Sequence, residues 1–134
     1  MKIAYQGIAG SYSESCAKEK YPNCETIPCK TFDDCFEIAN EDSSIKAIIP
    51  ESNKTTGNIG VEYLIFKYRL NIFAEHFFPI NHNLLGLPNS KINDIKDVYS
   101  HAQALSQSSN FIKKKKLIEN VRADTAGSAK YVSE

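Results

Sequence analysis

Short apolar segments alternate with segments of helical periodicity along most of the chain. The runs "KIAY", "ETIP", "IKAIIP", "DIKDVYS" and "IENVRA" have the length and composition typical of strands. Between and after them lie helical patterns such as "SYSESCAKEKY", "TFDDCFEIAN", "IGVEYLIFKY" and "DTAGSAKYVSE". The stretch 70–87 is also rich in β-forming residues and is predicted to cross between two lobes. Strands that alternate with helices indicate an α/β fold with largely parallel strands.

Several of the helical patterns have recognisable ends. The first is predicted to begin near Ser11, and Thr31 is predicted to cap the second, with Asp34 three residues later. Asp124 is the expected N-cap of the last helix. A further helix is predicted to begin after the "VYS" run. The lysines of "KKKK" at 113–116 are predicted to form its solvated last turn, where positive charges interact favourably with the helix dipole.

Composition and charge argue against several functional classes. The 134 residues include 16 basic and 16 acidic side chains, so a nucleic-acid or membrane-surface partner has no electrostatic support. No apolar run approaches the roughly 18 residues of a membrane span. The spacing of Cys16, Cys24, Cys29 and Cys35 matches neither zinc nor iron–sulfur sites, so reduced thiols and no metal are expected. The segment before the first glycine is too short for a signal peptide, which predicts a cytoplasmic protein.

Polar loops follow four of the predicted strands. They read "QGIAGSYS", "ESNKTTGN", "SHAQ" and "DTAGS", and each leads into a helix. In open α/β folds ligands bind outside the carboxyl ends of the strands, and helix N-termini donate hydrogen bonds to anions. The loops therefore predict a cleft for a small anion such as a carboxylate, bound by neutral donors. The glycine-rich phosphate motifs do not fit any of them.

The same polar residues also allow purely structural interpretations. Ser100 and Gln103 have the spacing of a capping box, which would satisfy a helix end without a ligand. Gln107 lies outside that box but shares a helical stripe with both. Asn53 could simply form a turn, and His101 is expected to be an exposed residue of the first helical turn. The residues alone leave these alternatives open and indicate no reaction.

Five segments together resemble the prephenate dehydratase family. They are "AYQGIAGSYSE", "IIPESNKTTGNI", "HNLLGLP", "VYSHAQALSQ" and "RADTAGSAKYV", in the order and at about the spacing of that family. The resemblance implies a two-lobed α/β fold similar to type II periplasmic binding proteins, with a first lobe over 1–75 and an incomplete second lobe over 76–134. It also implies conversion of prephenate to phenylpyruvate in phenylalanine biosynthesis, without metal or cofactor, by a homo-oligomer.

The resemblance further implies a set of site residues. Catalytic roles are expected for Ser100, Gln107 and Thr125. Substrate contacts are expected from Gly10, Ser11, Tyr12, Ser13, Asn53 and Gln103. Where the family usually has I-E-N-S after a proline, this chain has "ESNK", so Lys54 could pair with a substrate carboxylate or point into water.

One motif of the family does not occur in the sequence. The threonine–arginine–phenylalanine tripeptide, whose threonine is thought to help protonate the leaving hydroxyl, is absent from the 134 residues. The chain 1–134 is therefore expected to be a C-terminally truncated dehydratase domain of impaired activity, with no regulatory domain. Two alternatives stay open: a non-catalytic module that binds small carboxylates on the same fold, and a fragment that does not fold alone. Prephenate and its amino analogue arogenate are both candidate substrates.

Overall fold

The computed structural model describes residues 1–55 and 57–134, which form two compact units, Met1–Pro79 and Ile80–Glu134. The elements of the first unit are β1 (Lys2–Gln6), α1 (Tyr12–Lys20), β2 (Glu25–Cys29), α2 (Phe32–Glu41), β3 (Ile45–Ile48), β4 (Ser52–Asn53), β5 (Gly57–Asn58) and α3 (Glu62–Tyr68). Those of the second unit are β6 (Asp97–Ser100), α4 (Ala102–Gln107), α5 (Ser109–Lys115), β7 (Ile118–Val121) and α6 (Thr125–Ser133).

A parallel three-stranded sheet forms the centre of the first unit. Its strand order is β2-β1-β3, and Ala4 of the central strand is in register with Ile27 and Ala47. Ala4 is completely buried and packs in a cluster with Cys29 and Cys35. The run of consecutive buried residues in β1 is typical of a parallel strand that is covered on both faces.

The second unit is built on two parallel strands, β6 and β7. Its core contains Leu105 of α4, Ile112 of α5 and Leu117, the residue before β7. Helix α6 packs against β6 through Tyr99 and Tyr131, whose ring centroids lie 5.4 Å apart in an edge-to-face arrangement. Within each unit, therefore, the alternation of strands and helices produces the parallel pairing that the sequence predicts.

The predicted helix ends are confirmed. The Ser11 hydroxyl accepts a hydrogen bond from the Glu14 amide, and Asp124 caps α6. Thr31 and Asp34 form a complete capping box at the start of α2, with bonds of 3.1 and 3.0 Å. The lysine run 113–116 ends α5, and its last residue takes the left-handed conformation that closes many helices.

Two predictions about the chain are wrong. The stretch 70–87 contains no strand, because a strand needs a neighbour with which to exchange backbone hydrogen bonds and none of the described sheets pairs with it. The helix after β6 is two helices, α4 and α5, which are separated at Ser108. Serine and asparagine side chains compete for backbone hydrogen bonds, and the sequence "SQSSN" supplies several of them at this break. None of the helices in the described parts of the chain is long and apolar enough to cross a membrane.

Candidate functional site

Two hydroxyl side chains that are distant in sequence meet in the second unit. Ser100 is the last residue of β6, and Thr125 is the first residue of α6. The Ser100 Oγ donates to the Thr125 Oγ1 at 3.3 Å. Ser100 is buried whereas Thr125 is exposed, so the pair runs from the protein interior to the surface.

Backbone hydrogen bonds hold Ser100 beside the segment that links β7 to α6. Ser100 is in register with Val121 of β7, and its carbonyl oxygen accepts the Arg122 amide at 2.8 Å. Helix α6 then begins at Asp124, whose carboxylate accepts the Gly127 amide and whose carbonyl accepts the Ser128 hydroxyl. The carboxyl ends of two parallel strands and a capped helix start thus bring together two of the predicted catalytic residues.

Of the two alternatives left open for Ser100 and Gln103, the capping box does not form. The N-cap of α4 is His101, an exposed residue whose Nδ1 accepts the Gln103 amide at 3.3 Å. Ser100 is still part of the strand, so its hydroxyl lies too early in the chain to cap the helix and bonds Thr125 instead. The helix end therefore does not account for the Ser100 side chain.

Gln107, the last residue of α4, contacts a histidine that the sequence reasoning did not select. The Gln107 Oε1 lies 2.7 Å from the Nε2 of His82. Because an amide carbonyl oxygen only accepts hydrogen bonds, this contact requires the form of His82 that has a hydrogen on Nε2. His82 belongs to the "HNLLGLP" segment, so the family resemblance marked the segment but gave this residue no role.

The first unit presents the turn of Gly10 to Ser13 at the start of α1. Gly10 has a φ of 88°, in the left-handed region that favours glycine. Its amide donates to the Glu14 Oε2 at 2.7 Å, and the Ser11 hydroxyl caps the helix. Glu14 is a buried carboxylate that the sequence reasoning also missed, although its spacing from Ser11 is that of a capping box.

Asn53 forms a turn in the structure. Its Oδ1 accepts the Thr55 amide at 2.8 Å, and its backbone pairs with Gly57 in the β4–β5 hairpin. Lys54, between them, is exposed to solvent. The turn is one of the two alternatives expected for Asn53.

The candidate site residues fall into two groups, one in each unit. The first unit contains Gly10, Ser11, Tyr12, Ser13 and Asn53, and the second contains Ser100, Gln103, Gln107 and Thr125. All of these residues are uncharged, so they suit an anion that is bound by neutral hydrogen-bond donors. Within residues 1–55 and 57–134, no group of three His, Cys, Asp or Glu side chains is arranged to hold a metal ion.

Comparison with known proteins identifies the family of this chain. The profile of the prephenate dehydratases matches residues 3–134. The chain belongs to the prephenate dehydratase family. It is 42% identical over 134 residues to a Petunia hybrida protein named arogenate dehydratase 2, covering 99% of this chain and 34% of that protein. It is 39% identical to the Arabidopsis thaliana arogenate dehydratase/prephenate dehydratase 2, covering 99% of this chain and 35% of the relative.

Solved structures show which known folds this chain resembles. The prephenate dehydratase of Staphylococcus aureus is 23% identical with a TM-score of 0.75, over all of this chain and 52% of that one. A protein described as GqqA, a novel type of quorum quenching acylase, is 30% identical with a TM-score of 0.86, over 98% of this chain and 49% of that one. The α/β fold class expected from the family is confirmed. The chain spans about a third of the plant relatives and about half of the solved chains.

The prediction of a cytoplasmic protein is wrong on this comparison. Three Arabidopsis thaliana relatives, the arogenate dehydratase/prephenate dehydratases 1 and 2 and the arogenate dehydratase 5, are named as chloroplastic. The prediction rested on the short segment before the first glycine. Location is encoded in targeting segments that are separate from the folded domain, so the residues of the domain do not determine it.

Proposed function

We propose that this chain carries part of a dehydratase that converts prephenate, or its amino analogue arogenate, to the aromatic product by loss of water and carbon dioxide. The hydrogen-bonded pair of Ser100 and Thr125 is the observation that carries the proposal. It supplies hydroxyl groups at the carboxyl end of β6 and the start of α6, in a chain of the prephenate dehydratase family.

The reaction requires a proton donor at one oxygen of the substrate. The ring carboxylate leaves as carbon dioxide, its bonding electrons form the aromatic ring, and the ring hydroxyl departs with its electron pair. A proton must reach that oxygen so that it leaves as water. Thr125 is exposed, so its hydroxyl can reach a bound substrate, and it can donate its hydrogen there while its oxygen accepts from Ser100. We therefore assign proton donation to Thr125 and its orientation to Ser100.

The substrate carboxylates require donors rather than acceptors. Since the Gln107 carbonyl oxygen accepts from His82, the amide nitrogen is the end of Gln107 that suits a carboxylate. We assign further substrate contacts to Gln103 and Asn53 and to the turn of residues 10–13. Neutral donors stabilise the anionic groups without an ion pair that would have to be broken on release.

The proposal is tested by measuring the aromatic product from prephenate and from arogenate in mildly alkaline buffer, where the spontaneous acid-catalysed reaction is slow. We expect turnover above the protein-free rate, and we expect Thr125→Val to reduce kcat by about 100-fold or more, as for other lost proton donors. Ser100→Ala should also reduce kcat, because it removes the bond that orients Thr125. Ser106→Ala, an exposed residue of α4, is the matched control and should retain full activity.

Two results would refute the proposal in different ways. A folded chain that binds prephenate without turnover would be the non-catalytic carboxylate-binding module. A chain that instead releases an acyl group from an acyl amide would follow the relative described as a quorum quenching acylase, whose 30% identity and TM-score of 0.86 favour this second candidate. Thr125, the exposed hydroxyl of the pair, would then be the candidate nucleophile, and Thr125→Val should abolish acyl release.

A further inference from the structure

Glu14 is a buried carboxylate that contacts three separate parts of the first unit. It is only 8% exposed. Its Oε2 accepts the Gly10 amide at 2.7 Å, while its Oε1 accepts the Lys18 Nζ at 2.7 Å and the Thr26 hydroxyl at 3.0 Å. The side chain therefore connects the turn before α1, the body of α1 and strand β2.

The contact with Gly10 is not needed to complete the helix end. In a capping box the glutamate would accept the amide of the N-cap residue, here Ser11. Instead, the Ser11 amide donates to the Ile8 carbonyl at 3.1 Å, and the Glu14 carboxylate reaches one residue further back. The bond thus restrains Gly10, whose φ of 88° few other residues would adopt.

A negative charge beside a proposed anion site would ordinarily repel the ligand. Here the Lys18 ammonium group lies 2.7 Å from the carboxylate, and the Thr26 hydroxyl and the Gly10 amide also donate to it. The charge is compensated locally, and charge-assisted bonds of this kind are shorter and stronger than neutral ones. The Glu14 side chain can therefore order the turn with little net charge presented to a ligand.

We propose that Glu14 is a positioning residue that orders the turn of residues 10–13 for the substrate carboxylate. This inference rests on the proposed function. The Gly10 amide is bound to Glu14, so the carboxylate fixes the turn through which the chain enters α1, and this is the turn to which we assign a substrate contact. Glu14 itself does not contact the ligand.

The first test uses the ligand-free chain, so it does not depend on dehydratase activity. Amide hydrogen exchange is measured by NMR for Gly10 and for Ala4 of the central strand. We expect Glu14→Ala to accelerate exchange at Gly10 by about tenfold or more while Ala4 stays protected. Glu14→Gln retains an acceptor oxygen and should preserve most of the protection of the Gly10 amide. This variant provides the test if Glu14→Ala fails to fold.

Thr26→Val is the matched control, because it removes a different contact to the same carboxylate with nearly the same side-chain volume. It should leave exchange at Gly10 unchanged. Unaltered Gly10 exchange in Glu14→Ala, or equal acceleration in Thr26→Val, would overturn the inference, because the turn would then not depend on the carboxylate bond.

The second test measures prephenate kinetics. Since the turn contacts a carboxylate that does not react, we expect Glu14→Ala to raise KM about tenfold with kcat little changed, partial rescue in Glu14→Gln, and no KM effect in Thr26→Val. A fall in kcat at unchanged KM would overturn the positioning role. If the unmodified chain neither binds nor converts prephenate, the proposed function fails, whereas Gly10 exchange still decides whether Glu14 orders the turn.

Discussion

Gly127 occupies a position in α6 where the N-cap leaves no space for a side chain. A Cβ added there would lie 2.8 and 2.9 Å from the two carboxylate oxygens of Asp124 and 3.1 Å from its Cγ. These distances are shorter than van der Waals contact, so in Gly127→Ala the Asp124 side chain must rotate away. The rotation would break the bond by which Asp124 accepts the Gly127 amide.

Two opposing contributions of similar size determine how Gly127→Ala changes the free energy of unfolding. Alanine is more favourable than glycine within a helix by about 1 kcal/mol. Loss of an aspartate N-cap costs about 1 kcal/mol, within a range of about 0.5–2. Gly127→Ala alone should therefore change the free energy of unfolding by about 0.5 kcal/mol or less. In the Asp124→Ala background there is no cap left to lose, so the same change should stabilise by about 1 kcal/mol.

A double-mutant cycle measured by urea denaturation checks this reasoning. The four chains are the unmodified protein, Gly127→Ala, Asp124→Ala and the double variant, with m-values compared to confirm the same transition. We expect a coupling of about 1 kcal/mol between the two sites, the size of the lost cap. If Gly127→Ala stabilises equally in both backgrounds, the carboxylate does not obstruct the Cβ and the account of the cap is refuted.

Further predictions follow from Glu14, Cys35 and Gln107. Hydrogen bonds from Lys18 and the Gly10 amide hold the pKa of Glu14 below its ordinary value of 4.5. The stabilisation that the Glu14 carboxylate contributes is therefore complete above pH 4.5 and is lost as the pH falls through the lower pKa of the folded state. Glu14→Gln should make the unfolding free energy depend less steeply on pH in the acid range. Burial raises the pKa of the Cys35 thiol, so an alkylating reagent near pH 8 should label Cys35 only after the chain unfolds. Mass spectrometry measures the labelling, and a native chain that is labelled as fast as the unfolded chain would contradict this expectation. Gln107→Ala should lower kcat/KM about tenfold or more while unfolding free energy changes by about 0.5 kcal/mol or less; unchanged kcat/KM would remove its assignment.

Features that depend on neighbouring residues were predictable from the sequence. The capping box of Thr31 and Asp34 forms because its two bonds join residues three apart, and the Asp124 cap forms for the same reason. The parallel strands were predictable because the apolar run of β1 has a length and composition that suit a strand covered on both faces. In these cases the local preference and the final packing agree.

Contacts between distant residues were not predictable in this way. The Ser100–Thr125 and His82–Gln107 bonds each join residues 25 apart. No periodicity relates such positions, since their distance depends on how strands β6 and β7 and the following helix are arranged. The family resemblance selected both Ser100 and Thr125 but did not indicate that their hydroxyls bond each other, and it left His82 without a role.

The stretch 70–87 was predicted wrongly because β-propensity describes a preference and not a partner. Phe73 and Phe77 are among its exposed aromatic residues, at 64% and 86%. Such residues are enriched in strands because they pack on neighbouring strands. None of the described strands pairs with the segment, so the preference produces no strand there.

The spacing of a capping box occurs three times in this chain, and only one instance forms the complete box. At Thr31 both reciprocal bonds are present. At Ser11 the hydroxyl caps the helix, but the Glu14 carboxylate binds Gly10 instead of the N-cap amide. At Ser100 the hydroxyl bonds Thr125, and His101 caps the helix in its place. The complete box lies outside the segments for which we propose substrate contacts, while both incomplete ones lie within them. At Ser11 and Ser100 the capping-box pattern is therefore overridden by other contacts of the same side chains. This is expected where side chains are arranged for a ligand and not only for the helix end.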